Sequence, residues 1–333
     1  MTGFCSSPLF VQHETGHAHP ERPDRLRAIH RAVRQAGLID SPDPFPDFQI
    51  DLGDLPRARR PMIEIAPEPA DESMLRLVHT QAMIDRVRNL SAAGGGALDA
   101  GDTIAGPQSF EVAQLAVGAV VSSTIAVLEG RVQRAFAAVR PPGHHAEPNR
   151  SMGFCLFANL AVAVRVAQQR YGVGHVAIVD FDVHHGNGTQ AAFADDPSVL
   201  FVSLHQHPST CYPGTGHARE TGEGMGEGYT LNLPLPPGTG DAGYLRAIDE
   251  VVAPRLHEFC PELLFISAGF DAHHDDPLAN MAVTEEGFGQ MTERLVALAD
   301  TCCAGRVVSA LEGGYDLRAL SRSVTRHLLA MSK

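Results

Sequence analysis

The chain has 333 residues, of which 44% are apolar, so it is long enough to bury a large core in one or two domains. It carries 26 basic and 39 acidic side chains, and its formal net charge is −13. The longest basic cluster, Arg57, Arg59 and Arg60, is too short to follow a phosphate backbone, which argues against a nucleic-acid-binding protein. An acidic surface favours cationic partners instead.

The composition also argues against a membrane or secreted protein. An uninterrupted apolar stretch of about 18 residues is absent, and the first ten residues lack the basic and apolar regions of a signal peptide. The six cysteines form no CxxC pair and are interpreted as reduced thiols rather than as disulfides or a zinc knuckle. We therefore expect a cytoplasmic enzyme that binds neither membranes nor nucleic acid.

The first part of the chain is predicted to be mostly helical, with loops between the helices. An apolar pattern from Pro23 to Gly37 begins with a proline and ends with a glycine, as helices prefer. Residues 41–72 are rich in proline and acidic residues and are interpreted as a surface loop. A second long helix is predicted over residues 109–128, before Gly130.

From residue 135 onward, short β-branched runs alternate with amphipathic segments. The predicted helices cover residues 156–170, 242–257 and 284–302, and the predicted strands are Ala135–Val139, Val176–Val183, Val199–Leu204, Leu263–Ala268 and Val307–Leu311. This alternation predicts an α/β fold with a parallel sheet covered on both faces. A polar or glycine-rich loop follows each strand, so the active site is expected at the carboxyl edge of the sheet.

A metal-binding pattern follows the second predicted strand. Asp180, Asp182 and His184 are two residues apart, so an extended strand would direct all three side chains to one face. Such a cluster is costly without a cation, although a salt-bridged core cluster is an equally common interpretation of this spacing. With Asp182 and His184, Asp271 would complete three ligands and leave an open position, as in catalytic zinc sites. The same ligands suit Fe²⁺ or Co²⁺.

A binuclear site of the arginase type is the main alternative for the metal. It would need a further bridging carboxylate within each loop. The position two residues after His184 is Gly186, and the spare acidic residues after Asp271 are Asp275 and Asp276, further along the loop. One catalytic ion is therefore favoured.

Two further motifs supply groups that are suited to hydrolysis. His144 and His145 follow the turn RPPG, and an imidazole with a pKa of about 6.5 can take a proton from an activated water and return it to a leaving group. Asp180 is a candidate carboxylate behind one of these rings. Tyr315 follows two glycines, and its hydroxyl can donate to a developing oxyanion. A chance histidine pair and a packed loop tyrosine are the alternatives, but together the motifs predict metal-assisted amide or ester hydrolysis.

The chain resembles the histone deacetylase superfamily, which includes bacterial deacetylase-like amidohydrolases and acetylpolyamine amidohydrolases. The motifs that carry this resemblance are, in order, RPPGHH, MGFC, DFDVHHGNGTQ, SLH, YPGTG, SAGFDAH and LEGGYD. HPERP at residues 19–23 and the HGNGT form are similar to the class II branch. The resemblance implies the arginase–deacetylase fold, a single catalytic domain over residues 1–333 around a parallel eight-stranded sheet.

The resemblance also implies roles for individual residues. The implied catalytic residues are His144, His145, Asp180 and Tyr315, and the implied zinc ligands are Asp182, His184 and Asp271. His145 would act as general base and then acid, with His144 as its electrostatic partner. Structural potassium is implied near Asp180, Asp182, His184, Ser203 and Leu204, and a second potassium ion near Phe193, Asp196, Val199 and Tyr229.

Asn187 departs from the pattern of the first branch, which carries aspartate after HHG. An amide cannot stabilise an imidazolium as a carboxylate does. We therefore expect the second histidine of the pair to be neutral more easily, as suits a general base.

The substrate prediction depends on the residues that the resemblance implies for an apolar tunnel, which would hold the methylene chain of the substrate. Phe154, which follows Gly153, and Tyr212 are expected to form its aromatic walls, and Asp102 is a candidate for its rim. Leu278 is implied at the mouth, where polyamine-selective relatives place an acidic residue. Nε-acetyl-lysine of a protein or peptide is therefore the predicted substrate. The alternatives are an acetylated polyamine or another N-acyl amine, and a non-catalytic acyl-lysine binder; a homo-oligomer is left open.

Overall fold

The structure is a computed structural model that describes residues 1–16 and 18–333. Its strands are β1 (Thr2–Cys5), β2 (Ile63–Ile65), β3 (Gly96–Ala97), β4 (Ile104–Ala105), β5 (Arg134–Ala137), β6 (Val176–Asp180), β7 (Val199–Gln206), β8 (Thr230–Leu235), β9 (Leu263–Ala268) and β10 (Val307–Leu311). In the described residues, eight of them form one sheet in the order β2-β1-β5-β10-β9-β6-β7-β8, and β3 pairs with β4. All neighbours in the large sheet are parallel, which confirms the predicted α/β fold.

Helices cover the sheet. They are α1 (Asp24–Gln35), α2 (Glu72–Leu75), α3 (Gln81–Ala92), α4 (Ser109–Leu128), α5 (Asn159–Tyr171), α6 (Asn187–Phe193), α7 (Asp241–Ala247), α8 (Ala253–Phe259), α9 (Glu285–Cys302) and α10 (Leu317–Met331). A π-helical turn at Ile248–Val252 joins α7 to α8. Helix α4 packs against both α5 and β5, while α10 packs between α1 and α9.

Helix α4 has the bounds that its sequence predicts. Of the helices in the described part of the chain, it is the one whose length and composition would allow it to cross a membrane. Most of its residues are buried, because it packs on β1, β5 and β10 in the interior. Its apolar character is therefore explained by its place in the core.

The regular structure of the N-terminal part is mostly helical, as predicted, but this part also contributes β1 and β2 to the main sheet. Strand β2 lies inside the segment 41–72, and two of its three residues are exposed. The local pattern does not predict strand β8 either, which has the sequence TLNLPL. β2 and β8 are the two edge strands. Short edge strands carry little local signal, because pairing with a neighbour supplies most of their stability.

The predicted strand Val176–Val183 is also too long. β6 ends at Asp180, which lies beside Ser203 of β7 and Ser267 of β9 in the parallel register. The chain after Asp180 is irregular up to Gly186. The strand alternation on which the predicted metal pattern depends therefore does not extend to Asp182 and His184.

Candidate active site

Loops from four adjacent strands meet at the carboxyl edge of the sheet. The loops after β5 and β6 meet where His144 contacts Asp180, and the loops after β6 and β9 meet where the Val183 amide donates to Asp271. The Gly313 amide after β10 donates to Asp182 at 2.8 Å. These contacts bring the predicted site residues of all four loops together.

Asp182, His184 and Asp271 form a buried group of potential metal donors. The Nδ1 atom of His184 lies 3.1 Å from Asp182 Oδ1 and 3.1 Å from Asp271 Oδ2, and one donor atom of each residue lies within 4.8 Å of the others. The second oxygen of each carboxylate accepts a backbone amide, from Gly313 and Val183 respectively. Each carboxylate is thus held in place with its other oxygen facing the imidazole, and Asp182 Oδ1 also accepts the His184 amide at 2.8 Å.

The surroundings of this group are fitted to a metal ion. A Cβ atom on Gly313 would lie 1.9 Å from Asp271 Oδ2, and one on Gly269 would lie 2.0 Å from Asp182 Oδ2, so glycine is required at both positions. Burial and the charge of Asp182 raise the pKa of Asp271. A cation would relieve this repulsion, and one nitrogen with two oxygens suits zinc, Fe²⁺ or Co²⁺.

Asp180 lies next to the donor group and has a different partner. Its Oδ1 atom accepts the amide of Asp182 at 3.0 Å, and its Oδ2 atom lies 3.0 Å from His144 Nδ1. The expectation that Asp180, Asp182 and His184 share one strand face is wrong because the strand ends at Asp180. The turn that follows the strand separates the roles of the two aspartates.

The adjacent histidines have different environments. Their ring centroids are 4.0 Å apart, and His145 Nδ1 lies 2.7 Å from Asn187 Oδ1. Burial would lower the pKa of His144, but the carboxylates of Asp182 and Asp180 outweigh it and raise that pKa to about 10. Burial and then the charge of His144 hold the pKa of His145 well below its usual value. His145 is therefore the ring suited to accept a proton at neutral pH.

Tyr315 lies on a loop that is tied down from two sides. Its amide donates to Asp276 Oδ2 at 2.6 Å, and the guanidinium of Arg25 lies 4.9 Å from its ring centroid. Gly314 has a φ of 113°, which side chains rarely adopt. Burial raises the pKa of Tyr315 well above its usual value, so its hydroxyl stays protonated and can donate a hydrogen bond.

A buried ion network under this loop has no counterpart among the predicted site residues. Arg25 donates to the carbonyls of Gly314 at 2.6 Å and of Glu312 at 2.5 Å. Glu21 holds Arg25 in place and also accepts two hydrogen bonds from Arg140, at 2.5 and 2.8 Å. Glu21 and Arg140 stand inside the HPERP and RPPGHH motifs, but contacts over more than 100 residues of sequence leave no local signal.

Glu312 is a second buried carboxylate to which the motifs assign no role. Its Oε2 atom accepts the amides of Gly143 at 2.7 Å and His144 at 3.1 Å. It therefore connects the loop after β10 to the turn that carries the histidine pair. Burial raises its pKa to about 7.

The residues predicted for the substrate tunnel border this site. The Phe154 ring lies 5.7 Å from that of Tyr315, and the Tyr212 ring lies 5.1 Å from that of His145. A Cβ atom on Gly153 would lie 2.4 Å from His145 Cδ2, so the backbone approaches the imidazole closely there.

The two predicted rim residues are at the surface. Leu278 is 37% exposed. The side chain of Asp102 is exposed, and its carbonyl lies 2.8 Å from His19 Nε2. Both residues are therefore accessible to a substrate.

His273, His274 and Asp275 form a second group of potential metal donors. His273 Nδ1 accepts the amide of Asp275 at 3.1 Å, and its Nε2 atom lies 3.4 Å from Glu285. Both ring nitrogens of His273 are thus occupied. The group has the character of a surface loop rather than a metal centre.

The first set of predicted potassium ligands lies around the end of β6. Ser203 of β7 pairs in register with Asp180, and its hydroxyl contacts His205 Nδ1 at 2.8 Å. Leu204, the next residue of β7, is fully buried. Potassium at this place stays a prediction.

The second set of predicted potassium ligands lies after α6. Arg165 pairs with Asp196, and its guanidinium lies 4.6 Å from the Phe193 ring centroid. The Asp196 carbonyl accepts the Val199 amide, and the Tyr229 carbonyl accepts a backbone amide of β7. A second potassium ion also stays a prediction.

Comparison with known proteins gives the family. Residues 19–331 match the family described as "Histone deacetylase domain". The chain belongs to the histone deacetylase family. It is 39% identical to a probable deacetylase of Archaeoglobus fulgidus over 95% of this chain and 82% of the relative. It is also 39% identical to a histone deacetylase-like amidohydrolase of Pseudomonas aeruginosa over 92% of this chain and 75% of the relative.

A solved structure of the histone deacetylase family shares the fold. The crystal structure of the HDA15 HD domain superposes with a TM-score of 0.86 at 40% identity, covering 98% of this chain and 87% of that chain. The arginase–deacetylase fold, a single α/β domain on an eight-stranded parallel sheet, is therefore confirmed. Membership in the histone deacetylase family supports a hydrolase with deacetylase or amidohydrolase activity.

Proposed function

We propose that this protein is a zinc-dependent amidohydrolase that removes acetyl groups from Nε-acetyl-lysine of proteins or peptides. The observation that carries the proposal is the buried group of Asp182, His184 and Asp271, with an imidazole of low pKa and a protonated tyrosine beside it. These are the groups that amide hydrolysis needs: metal donors, a general base and an oxyanion donor.

A zinc ion held by these three ligands would supply Lewis-acid polarisation of the substrate carbonyl and of the attacking water. The Nε2 atom of His145 takes a proton from that water as its oxygen adds to the carbonyl carbon. The Tyr315 hydroxyl donates to the carbonyl oxygen as negative charge develops on it. The C–N bond then breaks, and His145 returns the proton to the leaving amine, giving acetate and free lysine.

Support for acyl-lysine over a polyamine comes from the rim. Leu278 is apolar and partly exposed, so it offers no carboxylate to a secondary ammonium in the substrate. Phe154 and Tyr212 provide ring faces that suit a methylene chain. The net charge of −13 attracts cationic substrates of both classes and does not separate them.

The first test is hydrolysis of an acetyl-lysine peptide and an acetylated polyamine, side by side, by the zinc-loaded protein. We expect the peptide to be preferred, and we expect Tyr315→Phe to lower kcat by about a hundredfold or more because the oxyanion loses its donor. A chelator should abolish turnover, and zinc should restore it. Turnover that survives both the Tyr315→Phe substitution and the chelator would contradict the mechanism.

A second test concerns the rim. Leu278→Glu should raise kcat/KM for the polyamine relative to the peptide by roughly fivefold, which corresponds to about 1 kcal/mol, the upper end for one exposed ion pair. Leu278→Gln, which has a similar size and no charge, is the matched control and should not shift the preference. An unchanged preference in Leu278→Glu would mean that other residues select the substrate.

A further inference from the structure

We propose that Glu147 is a positioning residue that selects the tautomer of His145 through the side chain of Asn187. The inference rests on the proposed function, because it concerns the proton acceptor of the hydrolysis. Glu147 is not among the residues that the sequence motifs predict for the site. It is the second residue after His145 in the sequence, and its side chain is 20% exposed.

The tautomer of His145 depends on which end of the Asn187 amide faces it. With Asn187 Oδ1 at 2.7 Å, His145 Nδ1 must carry the proton, and the Nε2 lone pair is free to accept one. If the amide were reversed, its NH₂ group would face Nδ1, and the neutral ring would carry its proton on Nε2. That ring could not act as a base from Nε2.

The surroundings of the amide nitrogen determine its orientation. Asn187 Nδ2 donates to Glu147 Oε1 at 2.8 Å, and it also faces the His145 carbonyl at 3.5 Å and Met152 Sδ at 3.3 Å. All three are acceptors, so the reversed amide would place its carbonyl oxygen against them. Among these three, Glu147 carries the charge, and its hydrogen bond is therefore the strongest.

Glu147 is itself held in a fixed position. Arg150 donates to both of its carboxylate oxygens at 2.8 Å, and a backbone pair joins the two residues across a tight turn. The resulting chain of contacts runs from Arg150 through Glu147 and Asn187 to His145. A surface ion pair thereby acts on a buried imidazole.

The sharpest test replaces the hydrogen-bond acceptor at residue 147 by a donor. In Glu147→Lys a donor replaces the acceptor, so Asn187 should reverse and the Nε2–H tautomer of His145 should dominate. In Asn187→Asp both ends of the side chain accept, so the Nδ1–H tautomer no longer depends on residue 147. The double variant Glu147→Lys, Asn187→Asp should therefore restore the tautomer and pair the two new charges.

The primary measurement is ¹⁵N NMR of the His145 ring at neutral pH, which distinguishes a protonated from an unprotonated Nδ1 and needs no substrate. We expect Nδ1–H in the wild type and in the double variant, and Nε2–H in Glu147→Lys. An Nδ1–H ring in Glu147→Lys would overturn the proposal, whatever the activity. Absence of turnover in the wild type would refute the proposed hydrolysis and leave this result valid.

Kinetics supply the second measurement. Glu147→Ala should lower kcat about tenfold and Glu147→Lys about a hundredfold, with KM within about twofold, as for residues that orient an active-site ligand. In the Asn187→Asp background the same changes should cost less than about threefold. Glu258→Lys, which disrupts a comparable Arg255–Glu258 pair on α8, is the control and should leave kcat unchanged. Equal losses in both backgrounds would mean that Glu147 has only a structural role.

Discussion

At the scale of single residues, a neighbouring side chain decides what each imidazole of the histidine pair can do. His144 faces the carboxylate of Asp180, which stabilises its charged form, whereas His145 faces the neutral amide of Asn187. The two rings are 4.0 Å apart, so a proton on His144 also disfavours one on His145. Two adjacent residues of one type are thereby separated into a cation and a base.

The group of Asp182, His184 and Asp271 leads to a testable prediction about metal binding. Asp271→Asn removes the charge of one donor from a fully buried site. Loss of a residue that only supports a metal ligand lowers metal affinity by up to about a hundredfold, so loss of a ligand's charge should lower zinc affinity by more than that. Equilibrium dialysis with metal analysis measures it. Asp275→Asn, in the second donor group with His273 and His274, is the matched control and should retain full zinc affinity. Loss of zinc in Asp275→Asn alone would mean that this second group, and not the group of Asp182, His184 and Asp271, holds the metal.

At the scale of elements, the loops after β9 and β10 are joined by one side chain. Asp276 Oδ1 accepts the Leu278 amide at 3.0 Å, and its Oδ2 accepts the amides of Tyr315 and Asp316. Both oxygens of its carboxylate are therefore occupied by backbone amides. The backbone of Leu278, the proposed rim residue, and that of Tyr315, the proposed oxyanion donor, are therefore held by the same carboxylate.

This connection predicts the effect of Asp276→Asn. The amide keeps one acceptor oxygen, so it can hold the Tyr315 loop or the Leu278 amide but not both. We expect kcat to fall about tenfold while zinc content and secondary structure remain as in the wild type. Asp275→Asn again serves as control. A variant with normal kcat would show that backbone contacts alone hold Tyr315.

At the scale of the whole molecule, buried neutral histidines dominate the expected response to acid. Burial lowers the pKa of six of them to about 3 or 4: His13, His30, His79, His185, His205 and His327. In the unfolded chain these rings titrate near pH 6.5. Between about pH 6.5 and pH 4 the unfolded state thus binds more protons, and stability falls as the pH falls.

Each such histidine contributes a slope of about 1.4 kcal/mol per pH unit to the free energy of unfolding. Denaturant unfolding between about pH 6.5 and pH 4.5 should therefore show a loss of stability, because these six rings outnumber the buried carboxyls of Asp180, Asp276 and Glu312, whose raised pKa values act in the opposite direction. His327→Gln can still contact Thr292 and Ser309. It should reduce the slope of the free energy of unfolding against pH by about 1.4 kcal/mol per pH unit, the contribution of one proton, whatever it does to the absolute stability. A free energy that is constant over this range would contradict the assignment of neutral buried rings.

The sequence by itself determined the elements with strong local patterns and the identity of the chemical groups. The bounds of α4, β9 and β10 follow from continuous apolar runs, since burial of such runs does not depend on a particular partner. The motifs at the strand ends identified Asp182, His184 and Asp271 as a set, although the strand geometry predicted for them is wrong.

The tertiary structure alone decided the edge strands and the contacts that orient the site. β2 and β8 become strands because neighbours pair with them, and Asp180 serves His144 because the chain leaves β6 at that residue. Arg25 reaches the Gly314 carbonyl across 289 residues, and Glu147 orients Asn187 across 40. Such contacts depend on the path of the backbone between distant segments, which local propensity and spacing do not encode.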